Sequence, residues 1–249
     1  MDKKKAIESF NFPVIGRVHS CYKEKFGIPR QSGLVTAAQA RIEIVSPYNN
    51  SEAFYGLEHC SHLWLQFVFH RSLEHQWRPR VRPPRLGGNK TLGVFATRSP
   101  VRPSALGLSV VALDRIETER ELNLYVLGGD LLDGTPIIDI KPYVPYVDCI
   151  DSAKNAIADT PPALLPVYFC AKAEEQLSSI ENSQQRRIII EQVLQQDPRP
   201  SYQKTDGGRI YGMKIFDFDL KWRYLESNCG DLIEVVALDG DESGNRSDC

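Results

Sequence analysis

The chain has 249 residues, 42% of them hydrophobic and 25% charged, with a formal net charge of −2. This is ordinary for a globular protein, long enough for one large or two small domains, and no run approaches the ~20 apolar residues of a membrane span. No apolar stretch follows the basic start Met1-Asp2-Lys3-Lys4-Lys5, so no signal peptide is expected and the cytoplasm is the expected location.

In chain order, residues 14–19 and 40–45 alternate as strands do. A short helix is expected at 51–57, capped by Ser51. Residues 61–69 ("SHLWLQFVF") are nearly all apolar, the pattern of a strand buried on both sides. Strands are expected next at 92–97, 106–116 and 122–128. Five or six strands without alternating helices argue against a dinucleotide-binding sheet and for a mainly β N-terminal domain, a small closed barrel or sandwich.

From Asp139 the run "DIKPYVPYVDCIDSAKNAIADTPPALLP" reads as a polar, proline-containing linker. A smaller α+β domain follows. It has a strand at 167–170, helices at 171–179 and 183–196 with Ile188, Ile189, Val193 and Leu194 at helical spacing, and strands at 209–219 and 231–238. Asp197-Pro198 stops the second helix. The domain boundaries expected are 12–150 and 165–238, with a frayed tail at 239–249.

Charge is unevenly spread. Between Arg71 and Arg102 lie eight basic residues, seven of them arginine, against Glu74 alone: this stretch carries +7 and the remainder −9. Clustering of this kind attracts phosphate more than overall pI does, and arginine favours planar, bidentate anion contacts. Within the stretch, "VFATRSPVRPSALGLS" (94–109) sets Arg98 and Arg102 in a turn stiffened by Pro100 and Pro103.

Familiar catalytic signatures are missing. There is no G-x-G-x-x-G and no G-x-S-x-G, and "RLGGNKTLG" lacks the closing Gly-Lys-Ser/Thr of a phosphate loop. Six scattered cysteines without a C-x-x-C pair read as reduced, mostly buried thiols, and neither they nor the His59–His62 pair suggests a metal. Four clusters remain: "YKEKFGIPRQSG" (22–33), where Pro29 stiffens a loop presenting Arg30 and Gln31; "FVFHR" (67–71), an apolar strand ending in His70 and Arg71; the arginine turn; and "GGDLLDGTPIIDIKPY" (128–143), with Asp130 and Asp133 either side of Leu131 and Leu132. Each could also be ordinary surface loop.

Together these stretches, with "GLEHCSHLWLQFVFH", "RPPRLGGN" and "QDPRPSY", resemble the TrmO family, also called TsaA-like or YaeB, over residues 12–238. Two departures are small: Ser104 stands where the family often has Asn in "RPNPIG" or "RPNAIG", and Ser201 replaces a common Ala. The resemblance implies a methyltransferase that uses S-adenosylmethionine on the exocyclic nitrogen of threonylcarbamoyl-adenosine beside the anticodon of transfer RNA. It further implies a β-barrel cofactor domain and a homodimer.

By the same resemblance, Pro29, Arg30, Gln31, Phe69, His70, Arg71, Arg98, Leu108, Asp130, Leu131, Leu132 and Asp133 line the cofactor pocket. His70, Asp130 and Asp133 are the candidate general bases. Arg85, Arg102, Asp197, Arg199 and Tyr202 are expected to meet the anticodon arm, Arg199 at a phosphate and Tyr202 on a base. No metal and no membrane partner are expected. Two other classes stay open: a non-catalytic RNA-binding or nucleoside-sensing barrel, and a methyltransferase acting on a protein or small molecule.

Overall fold

The structure is a computed structural model that describes residues 8–83, 86, 90–199, 206, 208–227 and 230–240. Arg85, Tyr202 and the tail beyond Gly240 lie outside the described residues.

Six antiparallel strands close the N-terminal barrel: β1 (Gly16–Ser20), β2 (Gln39–Ile44), β3 (His62–Val68), β6 (Leu106–Glu117), β7 (Asn123–Leu127) and β8 (Pro136–Pro142), in the order β1-β2-β7-β6-β3-β8. Between β3 and β6 the chain makes a two-stranded ribbon, β4 (Arg80–Val81) with β5 (Leu92–Gly93). Every second residue points inward, so Val18, Ile42, Leu63, Leu65, Leu124, Val126 and Ile137 form one apolar core. Gly107 is needed opposite Phe67, since a Cβ there would sit 2.3 Å from the aromatic ring.

The alternation of strand directions has one consequence for function. The C-terminal ends of β1, β3 and β7 and the N-terminal ends of β2, β6 and β8 lie at one rim of the barrel. The loops 21–38, 69–105 and 128–135 therefore all open at the same mouth. The four clusters singled out in the sequence place their polar residues, Arg30 and Gln31, His70 and Arg71, Arg98 and Arg102, and Asp130 and Asp133, in those loops.

The second sheet has the order β10-β11-β12-β9, from β9 (Val167–Phe169), β10 (Ile210–Ile215), β11 (Phe218–Ser227) and β12 (Gly230–Gly240), with β9 parallel to β12. A four-residue helix α1 (Pro145–Asp148) follows the barrel, and α2 (Ala171–Ser178) and α3 (Ser183–Gln195) cover the sheet. Ala173, Leu177, Ile189, Ile190, Val193 and Leu194 pack with Leu220, Trp222, Ile233 and Val235. Cys21, Tyr22, Val35 and Ala38, from the first mouth loop, are part of this second core. An isolated bridge joins Tyr22 to Ile215, and the Phe216 amide donates to the Cys21 carbonyl at 2.8 Å.

Several sequence expectations need correction. The turn near residue 51 is a 3-10 helix, Ser51–Phe54, capped by Asn50, whose side chain accepts from the Glu52 amide. β3 is buried on one face only, with Trp64 and Gln66 on the partly exposed side. Residues 92–97 hold only the two-residue β5 and a 3-10 turn, Val94–Ala96. The stretch expected to open a linker at Asp139 instead ends β8, the strand that closes the barrel. The single strand expected at 209–219 is most of a hairpin, β10 and β11, turning at Phe216-Asp217. Ile190 rather than Ile188 faces the core. Asp239 and Gly240, expected to fray, end β12, where Asp239 pairs with Lys221 at 2.5 Å. Of the four described cysteines only Cys21 is buried, and Cys149 is exposed.

Candidate functional site at the barrel mouth

The arginine turn is shaped by hydroxyls as well as prolines. Thr97 Oγ1 donates to the Val94 carbonyl at 2.8 Å and accepts from the Ser99 amide, and Ser99 Oγ accepts from the Val101 amide. Such hydroxyl-to-amide closures two residues apart fix a turn without secondary structure. The result carries Arg98 across the mouth, where its guanidinium donates to Gln31 Oε1 of the first loop. Arg98 is exposed and retains further N–H donors on the fork.

Asp130 enters from the third loop. Its Oδ1 accepts from Ser109 Oγ at 2.6 Å, at the start of β6. Burial pushes its carboxyl above the usual range, against the opposing pull of the Ser109 bond, its own backbone, the Arg98 charge and the Ser32 backbone. Ser32, Arg98, Ser109 and Asp130 thus couple all three loops and the head of β6 in one polar group.

His70 follows β3 in a 3-10 turn, His70–Ser72, behind Phe69, whose amide donates to the Ala105 carbonyl at 2.8 Å. Burial, and then the neighbouring Arg71 charge, hold the imidazole below its ordinary value, outweighing a backbone bond to Val68 that favours the protonated form. At neutral pH the ring is therefore neutral, and can accept a proton. Arg71 is exposed, and its carbonyl is held by Lys25 Nζ at 2.6 Å. Leu108 is 51% exposed on β6, offering an apolar surface at the rim.

Other residues of the expected site have structural employment. Asp133 accepts the Ser20 amide at 2.9 Å and pairs with Lys23 at 3.0 Å, which clamps the third loop to the end of β1. Leu131 is buried in the barrel core, and its carbonyl accepts from Ser20 Oγ at 2.7 Å, so it plugs the mouth from within. Leu132 gives its carbonyl to the Thr135 hydroxyl, closing the turn at Gly134, whose φ of +75° suits glycine. Pro29 is buried, while Arg30 reaches the Asp197 and Arg199 carbonyls at 3.5 and 3.4 Å. Arg102 is half-buried in the same turn as Arg98.

Arg199 departs from expectation most. It is only 9% exposed, pairs with Asp197 at 3.0 Å and Asp231 at 2.5 Å, and lies over the Tyr224 ring at 4.1 Å. Tyr224 in turn donates to Asp197 at 2.9 Å. This knot fastens the end of α3 to the second sheet, and a guanidinium so engaged is not a phosphate ligand. Its second carboxylate lies 32 residues downstream, a pairing no local motif announces.

Sequence reasoning also missed Ser109 and Ser32, the partners that place Asp130. The "GLS" at the head of a strand, inward at every second residue, was the available signal for Ser109.

S-adenosylmethionine has a cationic sulfonium, an amino-acid end of both charges and an adenosine. The mouth offers Arg98 for a carboxylate, a partly buried Asp130 for a cationic or hydroxyl group, and Phe69 and Leu108 as apolar surface, so its donor set fits such a ligand.

Comparison with known proteins agrees with this architecture. Residues 17–149 match the tRNA-methyltransferase O N-terminal domain, and residues 162–240 the TrmO C-terminal domain. An Escherichia coli protein named tRNA (adenine(37)-N6)-methyltransferase is 44% identical, covering 94% of this chain and 99% of its own. A Pseudomonas aeruginosa protein, provisionally named S-adenosylmethionine-dependent methyltransferase RcsF, is 49% identical over 91% of this chain and 96% of its own. The crystal structure of TrmO from Pseudomonas aeruginosa superposes with a TM-score of 0.77, at 41% identity, over 94% of this chain and 99% of that one. Matched along both its sheets and carrying the three mouth loops, the chain belongs to the tRNA-methyltransferase O family.

Proposed function

We propose that this protein methylates the exocyclic nitrogen of threonylcarbamoyl-adenosine, at the position beside the anticodon of transfer RNA, with S-adenosylmethionine as donor. The Escherichia coli relative's name supports the coarser reading, a tRNA adenine-37 N6-methyltransferase. The observation that carries the reading is the Arg98 charge acting on Asp130 at the barrel mouth, with His70 in a loop of the same rim, beside a run of basic residues that have no carboxylate partner among the described residues.

S-adenosylmethionine supplies the methyl group as a sulfonium substituent, and transfer is an in-line displacement governed by alignment. Arg98, steadied by Gln31, receives the methionyl carboxylate. Asp130, set by Ser109 and Ser32, takes the amino group or the ribose hydroxyls. Phe69 and Leu108 offer the apolar sides. The accepting nitrogen is urea-like and weakly nucleophilic until it loses its proton, and neutral His70 is the group that takes that proton. Asp130 is committed to binding, and Asp133 to its clamp. Arg102 pairs with the substrate's own threonyl carboxylate, which selects the modified adenosine.

The anticodon arm meets the basic ribbon around Arg78 to Lys90, and its affinity falls steeply with salt. The active form is a homodimer, which sedimentation of the purified protein tests. The reaction itself is tested with methyl-labelled cofactor and transfer RNA carrying or lacking the threonylcarbamoyl group. Label on the modified RNA alone is the expected result. Label on both, or on neither, overturns the substrate assignment.

A further inference from the structure

Beside the mouth, the loop between β3 and β6 encloses an open groove of about 800 Å³. On it lie Trp77, Arg78, Arg80 and Arg82, with Val101 and Thr91 among the walls. The groove has a fixed frame: the Val94 amide donates to the Pro79 carbonyl at 3.0 Å, the ribbon pairs Arg80 with Gly93, and the Arg78 amide reaches the Val101 carbonyl at 3.5 Å. It is thereby attached to the turn that holds Arg98 and Arg102.

Trp77 is 51% exposed, a large apolar face left open to water. The molecule's other two tryptophans are differently placed. Trp222 is fully buried in the second core, and Trp64 donates to Asp148 at 2.9 Å toward the opposite end of the barrel. Arg78, Arg80 and Arg82 are exposed and have no carboxylate partner among the described residues. Glu74 is the one acidic residue on the groove among the described residues. From Arg80 to Arg82, along the ribbon strand and one residue past it, alternate residues stand about 6.6 Å apart, a step on the order of one nucleotide of single-stranded backbone, and Arg78 adds a third charge across the bend at Pro79. An aromatic face beside such arginines is the pattern by which proteins hold unpaired bases, stacking the ring and neutralising the adjacent phosphates.

We infer that the groove seats an unpaired nucleotide of the RNA substrate, its base stacked on the Trp77 indole and its flanking phosphates on Arg78, Arg80 and Arg82. This rests on the reading of RNA as the substrate, and assigns a second contact point to it, outside the methyl-transfer mouth. Trp77 is a binding residue here, not a catalytic one.

The test uses the full chain and an unmodified anticodon stem–loop RNA. Titration of the parent should quench tryptophan emission, and Trp77→Phe should abolish the quench while Trp64 and Trp222 remain. Trp77→Ala should raise Kd roughly tenfold, and Trp77→Phe by only a few-fold, because the smaller ring still stacks. The dependence of log K on log salt should be unchanged in Trp77→Ala and shallower by about one in Arg80→Ala. Trp77 is exposed, so melting temperatures of these variants should match the parent. A quench that persists in Trp77→Phe, or that S-adenosylhomocysteine alone produces, or an unaltered Kd in Trp77→Ala, overturns the inference. Those results leave label transfer to modified RNA intact. Absence of label transfer with a Trp77-dependent quench overturns the substrate assignment instead.

Discussion

Arg199 and Arg98 carry the same guanidinium, yet the first is buried between two carboxylates and the second is exposed with the Gln31 amide oxygen as its hydrogen-bond partner. The difference holds region by region. In the second domain Arg186, Arg187, Arg199 and Arg223 all pair with acids. At the barrel mouth Arg71, Arg78, Arg80, Arg82, Arg98 and Arg102 have no ion pair among the described residues. Charges neutralised within the protein stabilise it, or at least do not repel. Charges left open must be satisfied by water or by a ligand. The near-neutral whole chain thus conceals a basic end and a second domain in which four of the five described arginines are balanced by acids, the fifth, Arg209, lying over the Tyr211 ring.

If that division is functional, mouth variants should lose activity without losing stability, and second-domain variants the reverse. The largest effect is expected for His70→Gln, with kcat/KM falling roughly 10²–10⁴-fold and the melting temperature unchanged. Because burial and the Arg71 charge hold its folded value below the ordinary one, the parent should keep its activity through neutral pH. Activity is lost only as pH falls past that depressed value, and this acid limb should vanish in the Gln variant. Next, Arg199→Ala strands two carboxylates in a buried knot and should cost about 3–5 kcal/mol in denaturant unfolding. A loss under 1 kcal/mol would break the comparison on that side.

Arg98→Lys should lower kcat/KM by roughly tenfold to a hundredfold, since lysine loses the planar fork, with stability as in the parent. Equal activity of Arg98→Lys and Arg102→Lys to the parent would show that neither holds a reacting carboxylate. For Asp130, burial raises the folded value, so the folded state is favoured in acid and that advantage disappears as pH rises through it. Asp130→Asn should accordingly melt no lower than the parent at pH 8, yet bind cofactor more weakly by calorimetry. The smallest effect is expected for Arg187→Ala. Its pairs with Glu174 and Glu191 are partly exposed and should contribute about 0.5 kcal/mol.

How legible this was depended on distance along the chain. β1 and β2 show in their alternation, and β3 in its apolar run, although that run suggested burial on both faces. β8 did not, because its second half, from Asp139 to Pro142, reads as the start of a linker, and Pro136 opens it, although proline is tolerated at a strand's first position. The β10–β11 hairpin escaped because its turn uses Phe216, at a φ of +55°, where glycine or asparagine would have marked it. The motifs identified the mouth loops, and the charge count identified the open arginines. What a motif could not show was which polar residues already had partners: Asp133 in its clamp with Lys23, Arg199 with Asp231, Asp130 with Ser109. Those pairings join segments far apart in sequence, and only the closed barrel and the stacked sheet bring them together.

The first mouth loop ties the two cores together. Its ends are strands of the barrel, its middle presents Arg30 and Gln31, and Cys21, Tyr22, Val35 and Ala38 are packed under the second sheet. Gln192 and Gln185 of α3 hold its backbone at Ala37, each at 3.0 Å. Neither half can then unravel without exposing the other, and heating should give a single calorimetric transition rather than two. A ligand that grips this loop stiffens the whole chain, so cofactor occupancy can be read as protection from proteolysis in the distant sheet.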